Sequence, residues 1–177
     1  MLQVDTPYLA GLDLRDRRVV VVGGGTVAQR RLSTLLDVGA RVELVSPEVT
    51  PAVEGMAQAA ELHWHQRPYA DGDLEDAWYV LALTDDAKVN AEVVAEATRR
   101  RIFCVRADDG TSGTAITPAS AEWHGLRIAV ASGQLSRRRP TGGGRDPIRV
   151  AGVRDGILDW LRSGAGEALL DRPGTRW

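Results

Sequence analysis

Residues 17–32 read RRVVVVGGGTVAQRRL, from Arg17 to Leu32. Four consecutive valines, Val19 to Val22, leave no polar alternation, so both faces of this strand must be buried, as in a parallel sheet. Directly after it, Gly23-Gly24-Gly25-Thr26-Val27-Ala28 fits G-x-G-x-x-A and opens a helical run. The spacing has a chemical reason. Gly23 permits the tight turn, Gly25 lets a pyrophosphate approach the backbone, and the small Ala28 lets helix and strand pack closely. The helix start then offers free N–H groups and partial positive charge to phosphates. A dinucleotide is the expected ligand; the plainer reading is a tight turn that holds nothing.

Working outward, Val27, Leu32, Leu35 and Leu36 are spaced as the buried face of a helix ending at Gly39, and RVELVSP reads as a second strand stopped by Pro47. The crossover between them is expected to be right-handed. Pro51 starts a further helix, ELHWHQRPY holds a short strand and AWYVLALTDD a buried one. DDAKVNAEVVAEATRRR is a strong helix with acids in its first turn and arginines in its last, as the macrodipole favours. Strand IFCVRADD follows, and the alternation through residue 109 predicts an α/β fold, a Rossmann-like doubly wound parallel sheet. Beyond TSGTAITPAS the pattern changes. GLRIAVASG is a strand, QLSRRRPTGGGRD a mobile loop without apolar period, PIRVAGVRDGILDWLRSG a helix starting at Pro147, and AGEALLDRPGTRW a fraying end. The expected parts are a nucleotide-binding domain over 1–112, a small dimerisation strand segment over 113–135, and a loop with a helical tail over 136–177.

Composition narrows the function classes. A chain of 177 residues buries roughly 70% of its unfolded surface, enough for one main domain. The net charge of −2 gives no global field for nucleic acid or an anionic membrane, and neither is expected as a partner. The single cysteine, Cys104, excludes an intrachain disulfide framework and a zinc site of paired thiolates, and fits a reducing cytosol. MLQVDTPYLAGLDL carries acids where a signal peptide is basic, so a cytoplasmic protein is expected.

The acid that holds the coenzyme ribose is expected about 20 positions after the glycines. Ser46 and Pro47 stand there with Glu48 just beyond, whereas Glu43 lies inside the strand and reads as a packing-edge or solvated carboxylate. No basic residue occurs between Arg41 and Arg67 to meet a 2′-phosphate, which favours NAD over NADP. Thr84 closes its strand at the carboxyl edge and is placed to line the nicotinamide side, while Asp86 reads as the cap of the next helix. On residues alone, Asp108 is equally a turn residue and a strand-end carboxylate placed for chemistry. His63 and His65 share a strand face; without a third ligand nearby they read as a solvated edge, and no metal site is assigned. His124 reads as a loop residue and Cys104 as a buried small hydrophobe.

In their order and spacing, GGGTVA, LALTDDAKVN, RIFC followed four residues later by Asp108, and GTAITPAS with LRIAVASG resemble one family. It is the precorrin-2 dehydrogenase and ferrochelatase module of sirohaem synthase, and the likeness runs from about Tyr8 to Gly133. The resemblance implies NAD-dependent oxidation of precorrin-2 to sirohydrochlorin and, as in many members, insertion of ferrous iron to give sirohaem. It also implies a homodimer whose strands after the nucleotide domain pair across the two-fold, here through GLRIAVASG. Asp108, ten residues before Pro118, matches the family's essential aspartate, a general base for protons released on oxidation and on metal entry. Thr26, Val27, Pro47 and Glu48 match coenzyme contacts. Ser132 matches a serine that lies near the active site and is phosphorylated in some relatives; a plain strand-end serine is the equal alternative.

The substrate bears many carboxylates, which guanidinium groups bind in a planar fork. Arg106 lies two residues before Asp108 on one strand face, as a substrate anchor or as a simple ion-pair partner. Arg99, Arg100 and Arg101 read as covering a helix end. After Ser132 relatives continue into a GGxSP turn and a long helix, whereas this chain has GQLSRRRPTGGGRDP, read as an insertion without function rather than an arginine-rich cover. Two other functions fit the same residues: an NAD(H)-sensing module without chemistry, and a chelatase or tetrapyrrole carrier without dehydrogenase action.

Overall fold

A computed structural model describes residues 7–110, 112–133 and 147–170. They form two compact units, one spanning Leu9–Ile116 and the other comprising the remaining residues.

The first unit is a five-stranded parallel sheet with helices between the strands. The strands are β1 (Arg18–Gly24), β2 (Arg41–Val49), β3 (His63–His65), β4 (Tyr79–Ala82) and β5 (Phe103–Arg106), in the order β3-β2-β1-β4-β5. Every pairing is parallel, with Val20 opposite Glu43 on one side and Val80 on the other. The valine run is the middle of this sheet, and Val19 to Val22 are at most 1% exposed. Burying four valines contributes about 6–12 kcal/mol before entropy is counted.

The pleat splits the core in two. Val19 and Val21 face α1 (Thr26–Asp37) and α2 (Pro51–Gln58) with Leu32, Leu35 and Val53, while Val20 and Val22 face α3 (Ala87–Arg100) with Val93, Ala97, Leu74 and Cys104. The sheet is therefore doubly wound, as the alternation predicted. Cys104 is wholly buried, and burial pushes its thiol up to about 12.

Local details correct several expectations. Val27 does not belong to the buried face of α1; it is 44% exposed, and Ala28 takes its place with Leu32 and Leu35. Pro47 does not stop β2. The strand runs to Val49 because the β1–β2 ladder skips where proline lacks a donor: pairing breaks between Val22 and Gly24, then resumes at Gly24 opposite Val49. α3 has no acid in its first turn, since Asp86 stands one position before it as the cap. Arg99 and Arg100 occupy its last turn and Arg101 its left-handed C-cap, as the sequence indicated. Arg100 pairs with the buried Glu96, 2.6 Å away.

In the second unit, β6 (Ala119–Trp123) and β7 (Leu126–Val130) form an antiparallel hairpin against which α4 (Pro147–Trp160) packs. Only the second of these strands was expected. His124 and Gly125 both have positive φ, +48° and +74°, so Trp123 and Leu126 are joined by a two-residue turn whose twist suits a hairpin. A π-helical turn (Leu161–Ala165) leads to the short α5 (Glu167–Leu170), so the fraying expected from Ala165 onward does not hold through Leu170. Trp123 and Leu161 are the buried large side chains here, and Gly166 is fitted against both. The QLSRRRPTGGGRD segment and residues 171–177 lie outside the described residues. Among the described residues no helix is long and apolar enough to cross a membrane.

Candidate functional site

The order β3-β2-β1-β4-β5 reverses direction between β1 and β4, and open α/β sheets bind ligands beyond the carboxyl ends of strands at such a point. The glycine turn sits there. Gly23 has φ +105°, and a Cβ on it would lie 2.8 Å from the backbone of Leu83 and Thr84 at the end of β4. Gly24, which sequence reasoning passed over, is as tightly held: a Cβ would meet Val49 Cγ1 at 2.5 Å and the Glu48 carbonyl at 2.6 Å. Gly25 is the opposite case, with open space where its side chain would be.

Gly25 is the N-cap of α1, where no side chain caps the helix and no acid lies in the first turn. The first intrahelical bond runs from Gln29 N to Gly25 O, so the N–H groups before Gln29 are free of the helix ladder. Gly25, Thr26 and Val27 are all exposed. An open backbone cradle, uncapped donors and a helix dipole without a neutralising acid fit a pyrophosphate. Pro47 and Glu48 are exposed at the end of β2, where Ser46 Oγ donates to the Glu48 carbonyl at 2.6 Å and leaves the Glu48 carboxylate outward. Glu43 lies further back in the strand and accepts from His65 Nε2 at 2.5 Å.

The next βα turn is wired to Asp108. Asn90, fully buried in α3, donates through Nδ2 to Thr84 O at 2.9 Å and to Asp108 Oδ1 at 2.7 Å. Its Oδ1 accepts from Thr84 N at 3.1 Å and from Thr84 Oγ1 at 2.8 Å. Arg106 grips the same carboxylate in a fork, Nε to Oδ1 at 2.9 Å and Nη2 to Oδ2 at 2.7 Å, and also donates to Ala87 O at 3.1 Å. The Arg106 guanidinium, with help from Asn90, holds the Asp108 carboxyl below the usual range. Asp109, its sequence competitor, turns to the Ser112 hydroxyl.

Asn90, Thr84, Arg106 and Asp108 thus form one cluster at the carboxyl edge, and the ion-pair alternative for Arg106 is realised. Asn90 was missed as a member of this cluster, although it closes the quoted TDDAKVN run; an asparagine four positions after a helix cap was the available signal. Ser132 lies two residues past β7, half-buried in the other unit. The histidine pair is not isolated: one ligand atom each of Glu43, His63 and His65 lies within 4.8 Å of the other two.

A parallel sheet of this order, with a glycine turn and an open helix end at its switch point, defines a Rossmann dinucleotide-binding domain. A family model described as NAD(P)-binding (NAD_binding_7) matches residues 10–119, and the chain belongs to that family. Siroheme synthase 1 of Serratia proteamaculans is 38% identical over 120 residues, 68% of this chain and 25% of that protein. Siroheme synthase of Chromobacterium violaceum is 39% identical over 155 residues, 88% of this chain and 31% of that protein. Among solved structures, SirC, a precorrin-2 dehydrogenase, superposes with a TM-score of 0.69 at 25% identity, covering 86% of this chain and 70% of that one. The chain spans between 25% and 31% of the length of these curated relatives.

Proposed function

We propose that this chain oxidises precorrin-2 to sirohydrochlorin with NAD+, with Asp108 as the base that receives the proton. Its likeness to siroheme synthases and to a precorrin-2 dehydrogenase supports the substrate class. The observation that carries the chemistry is the carboxylate of Asp108, fixed by Asn90 and Arg106 at the carboxyl edge, one strand beyond the switch point. Bound NAD+ supplies the hydride acceptor. Gly23 to Val27 hold its pyrophosphate, Pro47 and Glu48 receive the ribose, and Thr84 borders the nicotinamide side.

Arg106 decides when Asp108 is basic. At rest its fork keeps the carboxylate ionised and a weak base. A carboxylate of the macrocycle competes for that fork, and once Arg106 turns to the substrate Asp108 loses its strongest stabilising partner and its proton affinity rises. Substrate binding and base activation are then one event. The same carboxylate takes the two pyrrole protons one after the other, passing each to solvent, when ferrous iron enters sirohydrochlorin as a second substrate. A homodimer forms through β7, an edge of a two-stranded sheet that is marginal by itself. The single cysteine suits work in the reducing cytoplasm.

The test is an anaerobic incubation with precorrin-2 and NAD+. Wild type yields NADH and sirohydrochlorin together; Asp108→Asn keeps NAD affinity and loses about 10²- to 10⁴-fold in rate. Unchanged turnover in that variant removes Asp108 from the reaction.

A further inference from the structure

The edge strand β3 brings two histidines against a carboxylate. The parallel register sets His63 opposite Glu43 and His65 opposite Val45, so all three polar side chains leave the same face at the outer margin of the sheet. The imidazole rings of His63 and His65 lie 4.5 Å apart edge to face, His65 Nε2 meets Glu43 Oε2 at 2.5 Å, and one ligand atom from each residue lies within 4.8 Å of the other two. Glu43 and His65 are half-buried and His63 is exposed.

We propose that Glu43, His63 and His65 bind a divalent transition-metal ion of the imidazole-favouring class, with zinc, cobalt and nickel as members. Two neutral imidazoles and one carboxylate are a donor set for such ions, with bonds of about 2.0–2.2 Å. Tetrahedral bonds of that length set ligand atoms about 3.3 Å apart. The present spread brackets this value: the Glu43–His65 contact opens slightly and exposed His63 swings in. The ion takes the place of the Glu43–His65 hydrogen bond, with His65 protonated on Nδ1, and solvent completes the fourth position. Because β3 is only three residues long and pairs on one side alone, the ion clamps the weakest strand of the sheet to β2.

The site is separate from the Asp108 cluster. β3 and β5 are opposite edges, four strand spacings or about 19 Å apart, so the inference stands whether or not Asp108 is the base. It is tested on the full chain with Co2+ alone, without coenzyme or tetrapyrrole. One equivalent is expected to bind with the visible d–d band of four- or five-coordinate cobalt. His63→Ala, which removes an exposed side chain, weakens binding by about tenfold or more, the low end of what losing even an outer partner of a ligand costs. Glu43→Gln does the same, and Asp108→Asn changes nothing. Saturating Zn2+ raises the melting temperature of wild type by about 5 °C and that of His63→Ala by clearly less. Absence of saturable binding to wild type, binding insensitive to His63→Ala and Glu43→Gln, or loss of binding in Asp108→Asn each overturns the proposal.

Discussion

The turn after β1 and the turn after β4 leave neighbouring strands at the same edge of the sheet, yet their helix ends are finished in opposite ways. α3 is sealed. Asp86 Oδ1 accepts from Lys88 N at 2.8 Å and from Val89 N at 3.3 Å, and Asn90 ties the helix back to Thr84. α1 has no side-chain cap and no acid in its first turn. A capped end gains stability and has its donors occupied, whereas an open end gives up about 1 kcal/mol and keeps its donors for a ligand. The same fold element is closed by its own side chains in one turn and left open in the other.

The largest effect is expected where the two turns touch. Gly23→Ala places a Cβ 2.8 Å from the backbone of Leu83 and Thr84, at a φ of +105° that only glycine adopts readily. Strain and overpacking together cost about 3–5 kcal/mol, which lowers the melting temperature by about 10 °C or more. A loss within 2 °C on thermal unfolding, the scale of well under ~1 kcal/mol, breaks the claim that the turns are fitted to each other.

Next comes a substitution that makes the first turn resemble the second. Gly25→Asp meets nothing within 4 Å and puts a capping carboxylate at the N-cap of α1. Stability is expected to hold or rise by up to about 1 kcal/mol, since Asp is a strong N-cap and its charge suits the dipole. Dinucleotide affinity falls about 100-fold or more, because the same carboxylate occupies and repels the pyrophosphate position. Calorimetric titration with NAD alongside thermal unfolding separates the two. Loss of stability together with binding contradicts the trade-off.

Most of the first turn was legible in sequence because its determinants are local. A valine run, glycines at fixed offsets and a helix start lie within residues 17–32, and each states its backbone requirement directly. The second turn was legible only in part. Asp86 is a cap by position, but Asn90 joins Thr84 in its own turn to Asp108 beyond β5, and strand order decides that the second of these meets it. Glu43 and the histidines illustrate the same limit: residues 20 and 22 positions apart become neighbours only once β2 and β3 pair in one register. Val27 and Pro47 were misread for a related reason. Periodicity assigns apolar residues to the core and proline to breaks, whereas the helix start and the β1–β2 bulge are places where function and geometry override the pattern.

Asn90→Ala tests the second turn as a hub. It removes the buried partner of both Thr84 polar groups and of Asp108, with a cost of about 2 kcal/mol and a fall in melting temperature of about 4–8 °C. The Asp108 carboxyl moves up toward its ordinary value, readable by NMR titration. The sign of the linkage follows. A carboxyl held below its unfolded value stabilises the fold above about pH 3.9, and that stability is lost as pH falls through the folded value. Asn90→Ala therefore loses less on further acidification than wild type does. An unmoved Asp108 titration assigns its anchoring to Arg106 alone.

The smallest effect separates a cap from a site. Asp86→Ala removes the side chain that accepts from Lys88 and Val89, and losing such a cap costs about 1 kcal/mol, or about 2–4 °C in melting temperature for a chain of this size. Asp86→Ser, which restores an accepting oxygen without the charge, recovers most of that loss. NAD affinity is expected to stay level in both variants, because the residue serves its own helix and the proposed place of the coenzyme phosphates is the open end of α1. A drop in NAD affinity in Asp86→Ala that Asp86→Ser does not repair would make the carboxylate part of the coenzyme site. The contrast between a sealed and an open helix end would then give way to one shared surface.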